Sequence, residues 1–230
     1  MKVYLINLDK DKERLAAADA QLTRLGVAYE RVRAVYAKEL SQAELDAAVN
    51  KRRWKLAVGR PVRAGEIGCA MSHYMVYREM TEPVCMLEDD VILDERFQAV
   101  LKTVDQWIDP NRPQVVLLSN HTREIGSGIV RTQGDMYTEG YVITPSAAQA
   151  LLKANWPMQV PCDHWGRWVG RGLIELYHAF PTVCRQDQAQ YESGTVDKGC
   201  FRVSELGPVA WAWHKAKRLM GKTLDRMLPL

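Results

Sequence analysis

Residues 2–35 switch between two hydrophobic periods, and that switch restricts the fold more than any other feature of the chain. KVYLINL (2–8) is a short apolar run of strand type. DKDKERLAAADAQLTRLG follows, with Leu15, Ala18, Leu22 and Leu25 on one helical face. Aspartates stand at its start and Gly26 at its end, where helix termini favour them. AYERVRAV (28–35) reads as a second strand. Strand, helix and strand in so short a span make a βαβ unit, which predicts a parallel sheet in an α/β domain.

The alternation continues along the chain. Ser41 and Glu44 have capping-box spacing and open a short helix. RAGEIGCAMSHYMVYREM (63–80) predicts a Gly-rich entry into a helix, and VCML after it a third strand. DERFQAVLKTVDQWI (94–108) is a helix with Phe97, Leu101, Val104 and Ile108 facing inward. QVVLLS (114–119) is another strand, and REIGSGIVRTQGD (123–135) an irregular, turn-rich loop. MYTEGYVIT is expected as a strand, PSAAQALLKAN as a helix with Pro145 in its first turn, and IELYHAFPTV (174–183) as the last strand. One α/β domain of 1–204 is the expectation, followed by a tail of 205–230. The tail interleaves Trp211, Trp213, Leu219, Met220 and Leu224 with Lys215, Lys217, Arg218, Lys222 and Arg226. Such a basic amphipathic helix either lies on an anionic membrane surface or docks on its own domain.

Length and composition fit this picture. A chain of 230 residues with 47% hydrophobic content holds one full core. A net charge of +3 gives no general pull toward nucleic acid. Five cysteines, at 69, 85, 162, 184 and 200, form no CxxC pair, which argues against a disulfide framework and a zinc site and for a reducing compartment. No signal-type or membrane-spanning apolar run is present, so the expected location is cytoplasmic, at most peripheral on the inner face of the membrane.

The chemistry concentrates at VCMLEDDVIL. Glu88, Asp89 and Asp90 follow an apolar strand directly. Adjacent carboxylates repel one another and resist burial unless something positive neutralises them. Either the trio lies in water at a turn, with Asp94 capping the next helix, or it faces a cation. Carboxylates beyond the carboxyl end of a parallel strand stand where open α/β sheets bind ligands. Oxygen ligands suit Mg²⁺ or Mn²⁺, which bridge carboxylates to phosphates. In GEIGCAMSH (65–73), Gly65 and Gly68 would let backbone approach a ligand. Ser72 and His73, two turns further on, are either phosphate or sugar contacts or ordinary helix residues. Arg14 follows the first strand, near the same sheet edge, where a diphosphate needs a cation.

Taken in order, INLDKDKERL, AGEIGCAMSH, MLEDDVIL, TEGYVITPSAAQALL, VPCDHW and FPTVCRQ resemble glycosyltransferase family 25, the lipooligosaccharide and lipopolysaccharide β-galactosyltransferases and their relatives. The resemblance covers residues 1 to about 195. It implies a GT-A-like, Rossmann-like nucleotide-binding sheet flanked by helices, with a UDP-sugar donor, usually UDP-galactose. It also implies inversion at the anomeric carbon, a Mn²⁺ or Mg²⁺ cofactor, and a glycan or glycolipid acceptor. Carried over by position, it gives Asn7, Arg14, Glu66, Ser72, His73, Glu88, Asp89, Gly140 and Tyr141 to the donor side and Asp90 to the metal. Ser193 matches a late serine of the family. Where members commonly read AVDG, this chain has Ala34, Val35, Tyr36 and Ala37, so a uridine contact from that aspartate is in doubt.

An inverting transfer needs a carboxylate to take the acceptor's proton. Asp163, in PCD where the family has PVD, is the first candidate; it is alternatively a loop residue capping the next helix. Glu139 and Asp187 are reserves. Trp165, Trp168 and Tyr191 either stack on an acceptor sugar or pack inside. Rival readings are a metal-dependent phosphotransferase or nucleotidyltransferase and an inactive sugar-nucleotide-binding protein at the membrane. The first has no GxxxxGK[ST] loop to support it as a P-loop enzyme.

Overall fold

A computed structural model describes residues 1–121 and 125–187. The tail of 205–230, Tyr191 and Ser193 therefore lie outside the described residues. Strand β1 (Lys2–Asn7), helix α1 (Lys12–Arg24) and strand β2 (Glu30–Arg33) form the opening unit, and β1 and β2 pair in parallel with Tyr4 opposite Glu30. Helices α2 (Gln42–Ala48), α3 (Lys51–Val58) and α4 (Ala64–Glu79) follow. The Ser41–Glu44 capping box is present at the start of α2. Then come β3 (Val84–Glu88), the short β4 (Val91–Leu93), α5 (Phe97–Trp107) and β5 (Gln114–Leu117). The chain continues through β6 (Gly128–Thr132), β7 (Gly140–Ile143), α6 (Pro145–Asn155), α7 (Trp165–Gly170), β8 (Glu175–Phe180) and β9 (Cys184–Gln186).

Seven strands form one sheet in the order β2-β1-β3-β7-β5-β8-β6, and β4 pairs with β9 in a separate ribbon. Every residue of β5 and β7, and Val84 to Leu87 of β3, is buried. A sheet covered on both faces needs such continuous apolar strands. Alternate side chains serve opposite layers. Val84, Met86, Val115, Leu117, Tyr141 and Ile143 pack toward α4 and α6, while Cys85, Leu87, Val116 and Val142 pack with Leu22 of α1 and Phe97, Leu101 and Val104 of α5. Among the described residues, no helix is long and apolar enough to cross a membrane.

The expected parallel sheet is mixed. β1 pairs in parallel with both β2 and β3, and β5 with β8, but β7 runs antiparallel between β3 and β5. The segment expected as a loop over 123–135 contains β6, which runs antiparallel to β8 at the sheet edge. The strand expected over 136–144 is confined to β7, and the residues before it form a loop in which Tyr137 has a φ of 77°. Left-handed backbone at a bulky side chain is strained and occurs where the surroundings enforce it.

GEIGCAMSH lies within α4, whose first turns begin at Ala64, in keeping with the helix expected over 63–80. A Cβ on Gly68 would stand 2.5 Å from the Val35 carbonyl oxygen. The glycine thus serves the close approach of α4 to the chain leaving β2, rather than the approach of a ligand to Gly68 itself.

Candidate active site

β1 and β3 are adjacent and parallel, so their carboxyl ends, Asn7 and Glu88, emerge side by side. The chain lays β2 on one flank of β1 and later returns to lay β3 on the other. Loops leaving such strands in opposite directions open a crevice. Here it is a cleft of about 460 Å³, walled by Asn7, Arg14 and the 88–90 turn on one side and by Tyr36, Gly65 and Cys69 on the other.

The acidic trio is not a solvated turn. Asp89 is 9% exposed and Asp90 5%. Asn7 Nδ2 donates to Asp89 Oδ2 at 2.6 Å, and Arg31 Nε in turn donates to Asn7 Oδ1 at 3.0 Å. Arg14 Nη1 lies 3.3 Å from Asp89 Oδ1 and 3.8 Å from Asp90 Oδ2. Gln186, at the end of β9, donates from Nε2 to Asp90 Oδ2 at 3.0 Å. The other Asp90 oxygen, Oδ1, is buried with no hydrogen-bond partner. Burial, the charge on Glu88 and that on Asp89 push the Asp90 carboxyl up to about 6, against Gln186 and Arg14. Burial also raises Asp89, against Asn7 and Arg14. The 88–90 turn thus gathers two buried aspartates around one guanidinium, with Glu88 beside them.

The remaining expected residues divide by position. Ser72 and His73 line the cleft, but their polar atoms face the protein. Ser72 Oγ donates to the Gly68 carbonyl at 2.6 Å and accepts from Val35 N at 2.8 Å, holding the 34–37 segment on α4. His73 Nδ1 meets the Tyr141 hydroxyl at 2.7 Å and Nε2 meets Glu88 Oε1 at 3.2 Å. Burial disfavours the imidazolium, yet Cys69 and Glu88 outweigh it and raise His73 to about 9. Glu66 lies in the first turn of α4, paired with Arg60 and accepting from Arg63 N at 2.9 Å. Gly140 sits inside the sheet, where a Cβ would stand 2.5 Å from Cys184 Sγ. Tyr141 is fully buried and its hydroxyl also meets that of Tyr77 at 2.6 Å.

Asp163 precedes α7, and its Oδ2 accepts from Tyr137 N at 3.3 Å. Burial raises its carboxyl above the ordinary range, with the Glu88 charge adding to the effect and His164 opposing it. The strained Tyr137 backbone is what brings that N–H to Asp163, while its carbonyl accepts from Trp165 Nε1 at 2.8 Å. Trp165 and Trp168 are each 1% exposed, so they pack in the core and neither presents a face to a sugar. Glu139 is buried and bonded to His121 Nε2. Asp187 donates its backbone N–H to the Asp90 carbonyl at 2.7 Å.

Two features had no signal in the sequence spacing. Gln186 reaches the acidic turn only because β9 pairs with β4, with Val91 opposite Gln186. Cys69 and Cys162, far apart in the chain, bring their sulfurs to 3.7 Å beside the cleft.

Similarity to known proteins agrees with this geometry. The family model described as glycosyltransferase family 25 (LPS biosynthesis protein) matches residues 1–126. Procollagen galactosyltransferase 2 of Homo sapiens is 28% identical over 216 residues, covering 84% of this chain and 32% of that protein. A glycosyltransferase 25 family member of Aedes aegypti is 30% identical over 189 residues, covering 71% of this chain and 30% of that protein. Procollagen lysyl hydroxylase and glycosyltransferase of Acanthamoeba polyphaga mimivirus is 27% identical over 180 residues, covering 67% of this chain and 20% of that protein. The chain thus spans about a third or less of the length of these curated relatives.

Proposed function

The chain belongs to glycosyltransferase family 25, and from that premise we propose that it is a glycosyltransferase that moves a hexose, galactose, from a UDP-sugar to a hydroxyl of a cell-surface glycan, with inversion. The observation that carries this reading is the Asp90 carboxylate: one oxygen held by Gln186, the other buried and unpartnered in the wall of a cleft at the switch point of the sheet. Galactose is the sugar named in the procollagen relative, and lipopolysaccharide is the context named by the family description.

The residues fit a hard divalent cation. Asp90 Oδ1 is a buried oxygen without a donor, in a turn that gathers two buried aspartates around one guanidinium, with Glu88 beside them. Asp90, with Asp89 beside it, would hold Mn²⁺ or Mg²⁺. Bound there, the ion would neutralise charge on a diphosphate. Asn7 keeps Asp89 oriented, and Arg14, facing both aspartates, supplies a fixed guanidinium for the departing phosphate. Glu88, His73 and Ser72 form the inner wall, with Glu88 and His73 paired to each other and Ser72 bonded to Gly68 and Val35.

The acceptor oxygen attacks the anomeric carbon as the bond from that carbon to the phosphate oxygen breaks. The bonding pair leaves on UDP, and the hydroxyl proton passes to Asp163. A carboxylate raised by burial is better matched to that task near neutral pH than an exposed one. Tyr36 lines the cleft where relatives commonly place an aspartate, so its ring, not a carboxylate, borders the donor.

A panel of UDP-galactose, UDP-glucose, UDP-N-acetylglucosamine and UDP-N-acetylgalactosamine, labelled in the sugar, tests the reading. Label from UDP-galactose should appear in a lipooligosaccharide acceptor, with β product from the α-linked donor. Asp163→Asn should retain UDP binding and lose transfer by about 10²–10⁴-fold. Label from phosphate in the product, or near-normal transfer by Asp163→Asn, would overturn the reaction class or the assigned base respectively.

A further inference from the structure

The inner wall of the donor cleft holds a cluster to which the proposed transfer assigns no chemical step. Cys69 and His73 occupy successive turns of α4, Glu88 ends β3, and Cys162 lies in the segment leading to α7. Cys69 Sγ, a ring nitrogen of His73 and a carboxylate oxygen of Glu88 all lie within 4.8 Å of one another. Cys162 Sγ is 3.7 Å from Cys69 Sγ. Cys162 does not lie within 4.8 Å of all three. We infer that Cys69, His73 and Glu88 form a zinc site, distinct from the oxygen site at Asp89 and Asp90, into which Cys162 turns its thiolate as the fourth ligand.

Two of the spacings already suit one tetrahedral ion, and Cys162 must turn toward His73 and Glu88 to complete it. With zinc–sulfur bonds of about 2.3 Å and zinc–nitrogen or zinc–oxygen bonds of about 2.0–2.1 Å, two thiolates stand about 3.8 Å apart and a nitrogen–oxygen pair about 3.3 Å apart. The observed separations are 3.7 Å between the sulfurs and 3.2 Å between His73 Nε2 and Glu88 Oε1. Cys69 Sγ to Glu88 Oε1, at 3.9 Å, closes by a small side-chain rotation.

The surrounding groups are those a metal site requires. A ligating histidine uses one ring nitrogen for the metal and gives the other to an orienting partner. His73 turns Nε2 to the cluster and bonds through Nδ1 to the buried Tyr141 hydroxyl at 2.7 Å. Glu88 is oriented by the Thr138 hydroxyl, which donates to Oε1. Cys69, His73 and Glu88 line the cleft, which gives an ion a path inward. Thiolate and imidazole ligands select zinc over manganese or magnesium, whereas the aspartate pair does the reverse. The chain thereby separates two metals by ligand class. Binding releases the two thiol protons, and any proton on His73 Nε2, to solvent. The bound ion ties α4, β3 and the segment bearing Asp163 into one body.

Metal analysis of the purified full chain tests the inference, with cobalt substitution as the second measurement. One zinc per chain is expected, and the cobalt form should show thiolate-to-metal charge-transfer absorption. Cys69→Ser and Cys162→Ser should each weaken that absorption. Tyr141→Phe should keep it but bind cobalt about 10–100-fold more weakly, the usual effect of losing an orienting partner. A folded wild-type chain whose cobalt form lacks thiolate absorption would overturn the inference. So would absorption unchanged in Cys162→Ser, or a Cys69–Cys162 disulfide in chain that takes up no zinc after reduction.

Discussion

At the scale of single residues, Asp90 is held at a cost the fold does not need. Its carboxyl is buried beside Glu88 and Asp89, and one oxygen has no donor. Each unit of upward shift in a buried carboxyl corresponds to about 1.4 kcal/mol of disfavoured charge. Asp90→Asn removes that charge and keeps the shape. In metal-free protein near neutral pH it should raise stability by on the order of 1–3 kcal/mol, read from denaturant midpoints. A variant less stable than wild type would show that the carboxylate is structurally required. Asp89 and Asp90 stood out in the sequence because they directly follow an apolar strand, and Arg14 because it follows the first strand near the same sheet edge. Gln186 did not, since a lone glutamine gains meaning only from what it faces. Ser72 and His73 stood out in the sequence, but their hydrogen bonds to Gly68, Val35 and Tyr141 depend on packing between distant segments.

At the scale of elements, α4 forms the inner wall of the cleft, and its position rests on Gly68. Alanine is ordinarily the better helix residue by about 1 kcal/mol. Here its Cβ would meet the Val35 carbonyl oxygen at 2.5 Å, and backbone yields less readily than a side-chain tip. Gly68→Ala should therefore destabilise by about 1–3 kcal/mol and weaken UDP binding, because the 34–37 segment borders the cleft. A stabilised variant would contradict the packing argument. The joint between β8 and the loop ahead of β7 rests on His178 Nε2 meeting Asp135 Oδ2 at 2.8 Å, both buried. Burial works against the Asp135 charge, but His178 and the N–H groups of His121 and Met136 prevail and lower its pKa. Its contribution is therefore complete above the ordinary carboxylate value near 3.8 and is lost as pH falls through the lower folded value. Asp135→Ala should cost about 3–5 kcal/mol at neutral pH and flatten that acid-side dependence. Unfolding curves across the acid range check both; an unchanged acid slope would remove the pair's role.

At the scale of the whole molecule, the sequence carried the layer order better than the strand directions. Strands buried on both faces stay apolar throughout, and α1, α5 and α6 show their inner faces by period, so an α/β domain could be read directly. Strand direction leaves no such trace, because alternation reads the same both ways. Hence β7, antiparallel to both neighbours, was expected to continue a parallel sheet. The edge strand β6 was hidden by its glycines, and α7 by a run of Trp, Gly and Arg without a clear period. What the fold achieves is to seat a carboxylate-rich turn and one arginine at the mouth of two parallel strands. The account rests on that turn gripping a divalent ion that anchors a nucleotide diphosphate. Calorimetric titration of UDP into wild type and Asp90→Asn, with Mn²⁺ and with chelator, measures this directly. The account predicts Mn²⁺-dependent binding by wild type and loss of the Mn²⁺ dependence in the folded variant. Equal, Mn²⁺-dependent binding by both proteins would contradict it.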